Sequence, residues 1–186
     1  MINVAWAYRD GNGVPQDQAE QARWYRKAGE AGFASGWLNL AGMYENGTGV
    51  AKDEAEALRL YRRCSEASSC MFRIGYLSLN GRGTAQDDAE ALRWFRKAAD
   101  LGYAQGMDFL GWMYAEGRSV ARDDAEAVRW YRKAADGNNI DGAYNLATMY
   151  ESGRGVEKDM GEARRWYQKA ADGGDQRAKE KAAALK

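Results

Sequence analysis

A seven-residue motif occurs five times along the chain and restricts the folds that the sequence can adopt. The copies are Trp24–Glu30, Leu60–Glu66, Trp94–Asp100, Trp130–Asp136 and Trp166–Asp172. Their second residues are always aromatic and lie at positions 25, 61, 95, 131 and 167, so the steps are 36, 34, 36 and 36 residues. A fixed period of this length is typical of stacked helical hairpins, which bury a continuous core between neighbours. The sequence therefore predicts an all-α repeat fold with one shortened step.

Each repeat is predicted to contain two helices, A and B, joined by a glycine-containing loop. With residues 32–67 as the pattern, helix A extends from about Ala34 to Glu45 and helix B from Asp53 to about Ala67. Asp53 and Glu56 mark the start of helix B. The Asp side chain can accept hydrogen bonds from the first turn, and the Glu side chain can reach back to the Asp amide. Helix A is expected to end at glycine, which adopts a left-handed conformation most easily.

Both signals recur at the repeat period. The start pairs are Asp17/Glu20, Asp53/Glu56, Asp87/Glu90, Asp123/Glu126 and Asp159/Glu162, and the glycines are Gly11, Gly47, Gly81, Gly117 and Gly153. They predict one solenoid domain over residues 1–186, with repeats 1–31, 32–67, 68–101, 102–137 and 138–173 and a polar capping helix over 174–186. Met1 aligns with Trp37, so the first repeat lacks a turn. A piece trimmed from a longer protein is one interpretation of that start.

The charge and composition exclude several classes of function. Lys and Arg together number 27, as do Asp and Glu, so no basic excess is available to bind a phosphate backbone. The chain has no histidine, which removes the usual general base and the commonest transition-metal ligand. Apolar runs are too short to span a bilayer. We therefore predict no nucleic-acid partner, no membrane span, no metal, no cofactor and no enzymatic activity.

The periodicity also predicts the core. On helix B the apolar face follows Ala57, Leu58, Tyr61 and Cys64, a spacing of three and four residues, so the Trp-Tyr stripe is interpreted as core. Two positions on helix A are kept small, which lets neighbouring helices approach. These positions hold Ala41, Gly75, Gly111 and Ala147, and Gly36, Cys70, Gly106 and Gly142.

The repeat consensus resembles a known family. Leu146-Ala147-Thr148-Met149-Tyr150, Gly153-Arg154-Gly155-Val156 and Asp159, followed by the Trp-Tyr motif, are similar to the Sel1-like repeat, a relative of the tetratricopeptide repeat. The resemblance covers all but the two ends of the chain. It implies a right-handed superhelix with A helices on the concave side and B helices outside. It also implies non-catalytic adaptor, assembly or inhibitor roles, mostly in bacteria.

Several helix A residues depart from the pattern where a solvent-facing surface should be polar. Projecting helix A at 100° per residue places them opposite the core residue Leu40. The predicted partner-binding strip contains Trp6, Leu38, Phe72, Tyr76, Phe109, Trp112 and Tyr144, with Arg73, Asp108 and Asp141 as polar members. Exposed aromatic residues are typical anchors of protein interfaces. The alternative is tighter curvature, in which these rings only pack on neighbouring A helices.

Two further sets of residues have alternative interpretations. Arg82, Arg118 and Arg154 share one loop position and indicate either an edge that steers an acidic partner or a solvated loop. Cys64 and Cys70 replace small packing residues on either side of the shortened step. The resemblance to cysteine-rich relatives suggests a disulfide between them, and buried free thiols are the alternative. The compartment stays open accordingly: cytoplasmic if Met1 is the native start, periplasmic or secreted if the chain is trimmed and bridged.

The sequence thus predicts a protein–protein interaction module, an adaptor, scaffold or assembly factor, that binds another protein or a peptide segment through its helix A surface. An inhibitor or immunity-type protein that neutralises a bacterial toxin or enzyme is the first alternative. A cell-wall-related hydrolase or penicillin-binding activity is a weaker one, because the chain has neither histidine nor a Ser-x-x-Lys motif.

Overall fold

The computed structural model describes residues 1–185, which form eleven helices and no strand. The helices are α1 (Ile2–Asp10), α2 (Gln18–Glu30), α3 (Ala34–Asn46), α4 (Glu54–Arg63), α5 (Ser68–Asn80), α6 (Asp88–Asp100), α7 (Ala104–Glu116), α8 (Asp124–Asp136), α9 (Ile140–Ser152), α10 (Met160–Asp172) and α11 (Gln176–Ala184). Odd-numbered helices are the A helices, and even-numbered ones are the B helices. The predicted all-α repeat fold is confirmed.

The chain divides into two compact units, Met1–Ala91 and Leu92–Lys186, and α6 begins just before the division. The first unit contains α1 to α5 and the second contains α7 to α11. That all repeats form one solenoid domain stays a prediction. The last helix, α11, buries only Ala178 and Ala182 and is otherwise polar, as expected of a cap.

Each B helix begins at its predicted aspartate. In all five repeats the carboxylate accepts a hydrogen bond from the amide three residues on, as Asp53 does from Glu56 at 2.9 Å. The predicted reach of glutamate back to the Asp amide is wrong. That amide instead donates to the carbonyl of the preceding A helix, from Asp53 to Tyr44 at 2.9 Å, which leaves Glu56 to pair with Arg59.

The same backbone bond fixes the register of the third repeat. The amide of Asp87 donates to the carbonyl of Ser78 at 2.9 Å, so Ser78 occupies the position that tyrosine holds in the other repeats. Helix A ends at left-handed glycine in every hairpin, as predicted, for example at Gly47 with φ 73°. The second loop glycine has a separate role. A Cβ on Gly155 would lie 2.1 Å from the carbonyl oxygen of Asp124, so only glycine allows this contact between loop and helix.

The Trp-Tyr stripe is core only in part. The second residue of each copy is buried: Tyr25, Tyr61, Phe95, Tyr131 and Tyr167. The preceding tryptophan is half-buried at Trp24, Trp94 and Trp130, where a lysine ammonium three residues on lies over the ring, at 4.3 Å from the centroid for Lys27 and Trp24. The edge of the helix B face is therefore amphipathic, with lysine stems shielding the rings.

The shortened step changes the junction of α4 and α5. Helix α4 ends at Arg63, four residues before the predicted end at Ala67, because two residues are missing from the connection. Cys64 and Cys70 form a disulfide across this junction, with a Cα–Cα distance of 5.9 Å. At the corresponding crossing of α2 and α3, a Cβ on Gly36 would lie 2.3 Å from the amide nitrogen of Gly29, so helix packing alone holds that pair together.

We expect the disulfide to stabilise the fold. Closing a loop of this length removes entropy from the unfolded chain worth about 2 kcal/mol. The double variant Cys64→Ala/Cys70→Gly restores the pair of residues found at Ala28 and Gly36. It should unfold at lower urea concentration than the oxidised protein, and reductant should no longer change its midpoint. Titration of two free thiols in the denatured, unreduced wild type would contradict the bridge.

Two helical glycines provide a matched test of the packing between hairpins. A Cβ on Gly142 would lie 2.6 Å from the Cβ of Ala134, whereas one on Gly42 would meet only the hydroxyl of Tyr61 at 3.9 Å. Gly142→Ala should therefore lower the free energy of unfolding by about 1–3 kcal/mol through overpacking. Gly42→Ala should raise it by about 0.5–1 kcal/mol, because alanine favours a helix. Equal effects in urea denaturation would refute this assignment.

Candidate partner-binding surface

The first unit contains five of the predicted strip residues. Trp6 on α1 is 45% exposed, and Leu38 on α3 is half-buried. On α5 the rings of Phe72 and Tyr76 are half-buried, with their centroids 6.2 Å apart. Arg73 beside them is exposed. This unit thus presents one open tryptophan and a pair of partly open rings.

The second unit contains the other five predicted residues. Phe109 on α7 lies between Phe95 and Trp112, with centroid distances of 5.0 and 6.5 Å. Tyr144 on α9 packs edge-on against Tyr167 at 5.3 Å. All three strip rings here are half-buried. Each ring therefore packs on neighbouring rings with one side and remains partly accessible on the other, so neither interpretation of the strip is excluded.

The two predicted acidic members of the strip behave differently. Asp141 is exposed and pairs with Arg177, with Oδ1 and Nη2 3.1 Å apart. Asp108 is buried and does not rim the surface, which corrects the prediction. The reason is that α9 packs beside α7 and Asn145 donates from Nδ2 to Asp108 Oδ1 at 2.8 Å. Burial raises the pKa of Asp108 to about 6, although the Asn145 hydrogen bond acts in the opposite direction.

The loop arginines do not form a solvated edge. Arg82 is half-buried and pairs with Glu54 at 2.8 Å and with Glu45 at 3.1 Å, both in the preceding repeat. Arg154 likewise pairs with Asp124 at 2.7 Å. It also donates to the carbonyl of Ala115 at 3.2 Å. These two arginines therefore tie a loop to the hairpin before it, and their charges are already compensated.

Each unit contains a polar cluster around a buried tyrosine that the sequence analysis did not predict. In the first unit, the hydroxyl of Tyr61 donates to Glu45 Oε2 at 2.8 Å, and Arg73 lies 3.9 Å from Glu45 Oε1. In the second unit, Tyr167 donates to Glu151 at 2.6 Å, and Lys181 donates to both carboxylate oxygens at 3.0 Å.

Burial, together with the adjacent carboxylate, raises the pKa of both tyrosines. A signal for these clusters was present. Glutamate occupies the same helix A position in the second and fifth repeats, as Glu45 and Glu151. In both cases the next A helix carries a basic residue, Arg73 or Lys181.

The equivalent position in the fourth repeat opens a groove. Alanine, Ala115, stands where Glu45 and Glu151 stand in their repeats. The groove has a volume of about 350 Å³ and is lined by Trp112, Ala115, Glu116, Tyr131, Asn145, Thr148, Met149, Glu151, Ser152 and Arg154. Trp112 joins it to the predicted strip. The side chain of Arg118 covers part of that ring, with Cζ 5.1 Å from the centroid.

The arrangement of the repeats identifies the family. A model of the Sel1 repeat matches residues 1–33, 38–67, 68–103, 104–139 and 140–175. The chain belongs to the Sel1 repeat family. Sel1 repeat proteins are generally protein-interaction modules and typically non-catalytic. A search of curated proteins gives no match to this chain.

Solved structures with the Sel1 fold are similar over nearly the whole chain. The protective antigen c5321 of uropathogenic Escherichia coli is 34% identical with a TM-score of 0.89; the alignment covers 99% of this chain and 40% of c5321. A Sel1 repeat protein from Oxalobacter formigenes is 32% identical with a TM-score of 0.91, over 99% and 74% of the two chains. This Sel1 chain thus spans less than half of c5321.

A third similar structure is the immunity protein Pa5087 from Pseudomonas aeruginosa. It is 25% identical with a TM-score of 0.64, and the alignment covers 94% of this chain and 68% of Pa5087.

Among the described residues of the Sel1 chain, no helix is long and apolar enough to cross a membrane.

The buried Asp108 carboxyl makes stability depend on pH. An unfolded Asp titrates near 3.9, so the folded Sel1 protein holds this proton more tightly and loses stability as pH rises from about 4 to 6. Asp108→Asn keeps an acceptor for Asn145 without the charge. It should raise the free energy of unfolding by about 1–3 kcal/mol at pH 7.5, and by much less at pH 4.

Urea denaturation at both pH values measures this difference. The exposed Asp136→Asn serves as the control and should change the free energy of unfolding by less than about 0.5 kcal/mol at either pH. A destabilised Asp108→Asn at pH 7.5 would show that the buried carboxylate is favourable.

Proposed function

We propose that this Sel1 protein is a non-catalytic interaction module that binds a partner protein through its helix A surface. The observation that supports this most directly is the partial exposure of aromatic rings on A helices of each unit. Trp6 is open, and Tyr76, Phe109 and Trp112 each keep an accessible side while packing on another ring. Rings held in place on one side lose little conformational freedom on binding, which suits them as anchors.

The framework behind these rings is also suited to binding. The ion pairs Arg82–Glu54 and Arg154–Asp124 each join a loop to the hairpin before it, one pair in each unit. Within each unit, such a pair helps to hold neighbouring hairpins in place before a partner arrives. A pre-organised surface reduces the ordering cost of association.

A triple variant tests the surface. The triple variant Tyr76→Ala/Phe109→Ala/Trp112→Ala should abolish capture of the partner from the native cell lysate. Mass spectrometry measures the captured protein, and titration with the purified partner measures the loss of affinity. Helicity measured by circular dichroism should remain near the wild-type value. Leu101→Ala removes an equally apolar side chain that is 59% exposed outside the strip, and it should leave capture unchanged. A large loss of helicity in the triple variant would favour a packing role for the rings.

An inhibitor or immunity role is the second candidate, supported by the similarity to Pa5087, an immunity protein. The captured partner distinguishes the two roles. Stoichiometric addition of this protein should suppress the activity of a toxin or enzyme partner, whereas a scaffold should leave its partner active. A hydrolase screen run beside the capture should show no turnover, and substrate turnover would overturn the non-catalytic proposal.

A further inference from the structure

The hydroxyl of Tyr131 lacks the carboxylate acceptor that Tyr61 and Tyr167 have. Tyr61 and Tyr167, at the same repeat position, donate to Glu45 and Glu151. At Tyr131 the glutamate is replaced by Ala115, and within residues 1–185 its hydroxyl has no hydrogen-bond partner. The residue is only 4% exposed and lines the groove beside Trp112. The hydroxyl itself is not sealed from solvent, so it is available to form a hydrogen bond with a ligand in the groove.

The charges around the groove determine what such a ligand would be. Compared with the Glu45 cluster, the fourth repeat has Asp108 in place of Leu38, Glu116 in place of Asn46 and Asn145 in place of Arg73. All three changes make the surroundings of Tyr131 more negative. Burial raises the pKa of Tyr131, and the negative charges of Asp108 and Glu116 act in the same direction.

The basic groups near the groove are already engaged. Arg154 pairs with Asp124, Lys181 pairs with Glu151, and Arg118 lies over the outer ring of Trp112. The groove has more negative than positive charges around it: three acids, Asp108, Glu116 and Asp124, against two arginines, Arg118 and Arg154. The charges of Glu151 and Lys181 compensate each other. A carboxylate entering the place of the missing glutamate would meet excess negative charge, whereas a cation would be attracted.

We propose that this groove binds an arginine or lysine side chain of a partner protein segment. The proposal rests on the interaction function proposed above and specifies the chemistry of one contact. The aliphatic stem of the basic side chain packs along Trp112 and Met149. Its charged head lies at Glu116 and donates to the hydroxyl oxygen of Tyr131, which acts as the acceptor. Tryptophan and glutamate together form a suitable receptor for such a head, through cation–π and charge-assisted contacts.

Short blocked peptides test the groove without knowledge of the partner. The probes are N-acetyl-Gly-Arg-Gly-amide and its analogues with Lys, Leu or Glu in place of Arg. Each peptide is titrated to about 10 mM against the ¹⁵N-labelled full chain, and binding is followed by NMR. The Arg and Lys peptides should shift amides at residues 112, 116, 131 and 145 in a saturable manner. The Leu and Glu peptides should bind at least about 5-fold more weakly. Equal binding of all four peptides, or tighter binding of the Glu peptide, would overturn the proposal.

Three variants locate the contact. Tyr131→Phe removes only the acceptor and should weaken Arg-peptide binding about 3- to 10-fold. Glu116→Gln should weaken it to a similar extent, and the exposed Glu66→Gln in the first unit should have no effect. Ala115→Glu copies the glutamate of the second and fifth repeats and fills the groove, so it should abolish binding. If binding were only a general attraction of cations, the added negative charge would strengthen it, and that result would refute the groove.

The peptide experiment and the capture experiment distinguish a failure of the groove proposal from a failure of the proposed function. If the peptides do not bind but the aromatic triple variant still loses its partner, the interaction function stands and the groove proposal is wrong. If the Arg peptide binds as expected and no protein is captured by the wild type, the groove is a basic-residue site and the proposed function is wrong.

Discussion

A buried aromatic ring at the centre of each hairpin, tyrosine in all but the third repeat, constrains the rest of this structure. The ring fills the space between helix B and helix A, and small residues on helix A make room for it. A Cβ on Gly111, for example, would lie only 2.8 Å from the ring of Tyr131. The hydroxyl at the end of that ring is carried into the interior and needs an acceptor. How each repeat supplies that acceptor determines which polar residues surround it.

The repeats solve this problem in different ways. Glu45 and Glu151 accept the hydroxyl, and each then requires a basic neighbour to compensate its charge: Arg73 and Arg82 in one case, Lys181 in the other. In the third repeat the sequence has Phe95, which carries no hydroxyl. Only Tyr131 retains the hydroxyl while its glutamate is replaced by alanine, and there the structure has a groove. A departure from the repeat pattern thus changes both the packing and the chemistry of the surface.

The architecture followed from the sequence because it depends on local, repeated signals. These signals are the N-cap aspartate, as at Asp53, the glycine that ends helix A, as at Gly47, and the spacing of apolar residues. Each acts within a few residues of the chain, and its recurrence in five repeats makes it recognisable in the sequence. The position of Asp108 did not follow, because a helical projection has no information about α9 beside it. The end of α4 at Arg63 and the buried roles of Arg82 and Arg154 were missed for a similar reason. The two arginines depend on contacts between repeats, with partners about 30 residues apart in the chain, and the end of α4 depends on the shortened connection to α5.

Stability measurements on three tyrosine-to-phenylalanine variants test the central claim most directly. Tyr61→Phe leaves the buried Glu45 carboxylate without the tyrosine donor and should lower the free energy of unfolding by about 1.5–3 kcal/mol in urea. Tyr167→Phe should lower it by less, about 0.5–1.5 kcal/mol, because Glu151 is half-buried and keeps Lys181 as a donor. Tyr131→Phe removes a hydroxyl that has no acceptor and should change it by less than about 0.5 kcal/mol. A loss at Tyr131 as large as that at Tyr61 would show that its hydroxyl is satisfied within the fold, and would contradict this account of the groove.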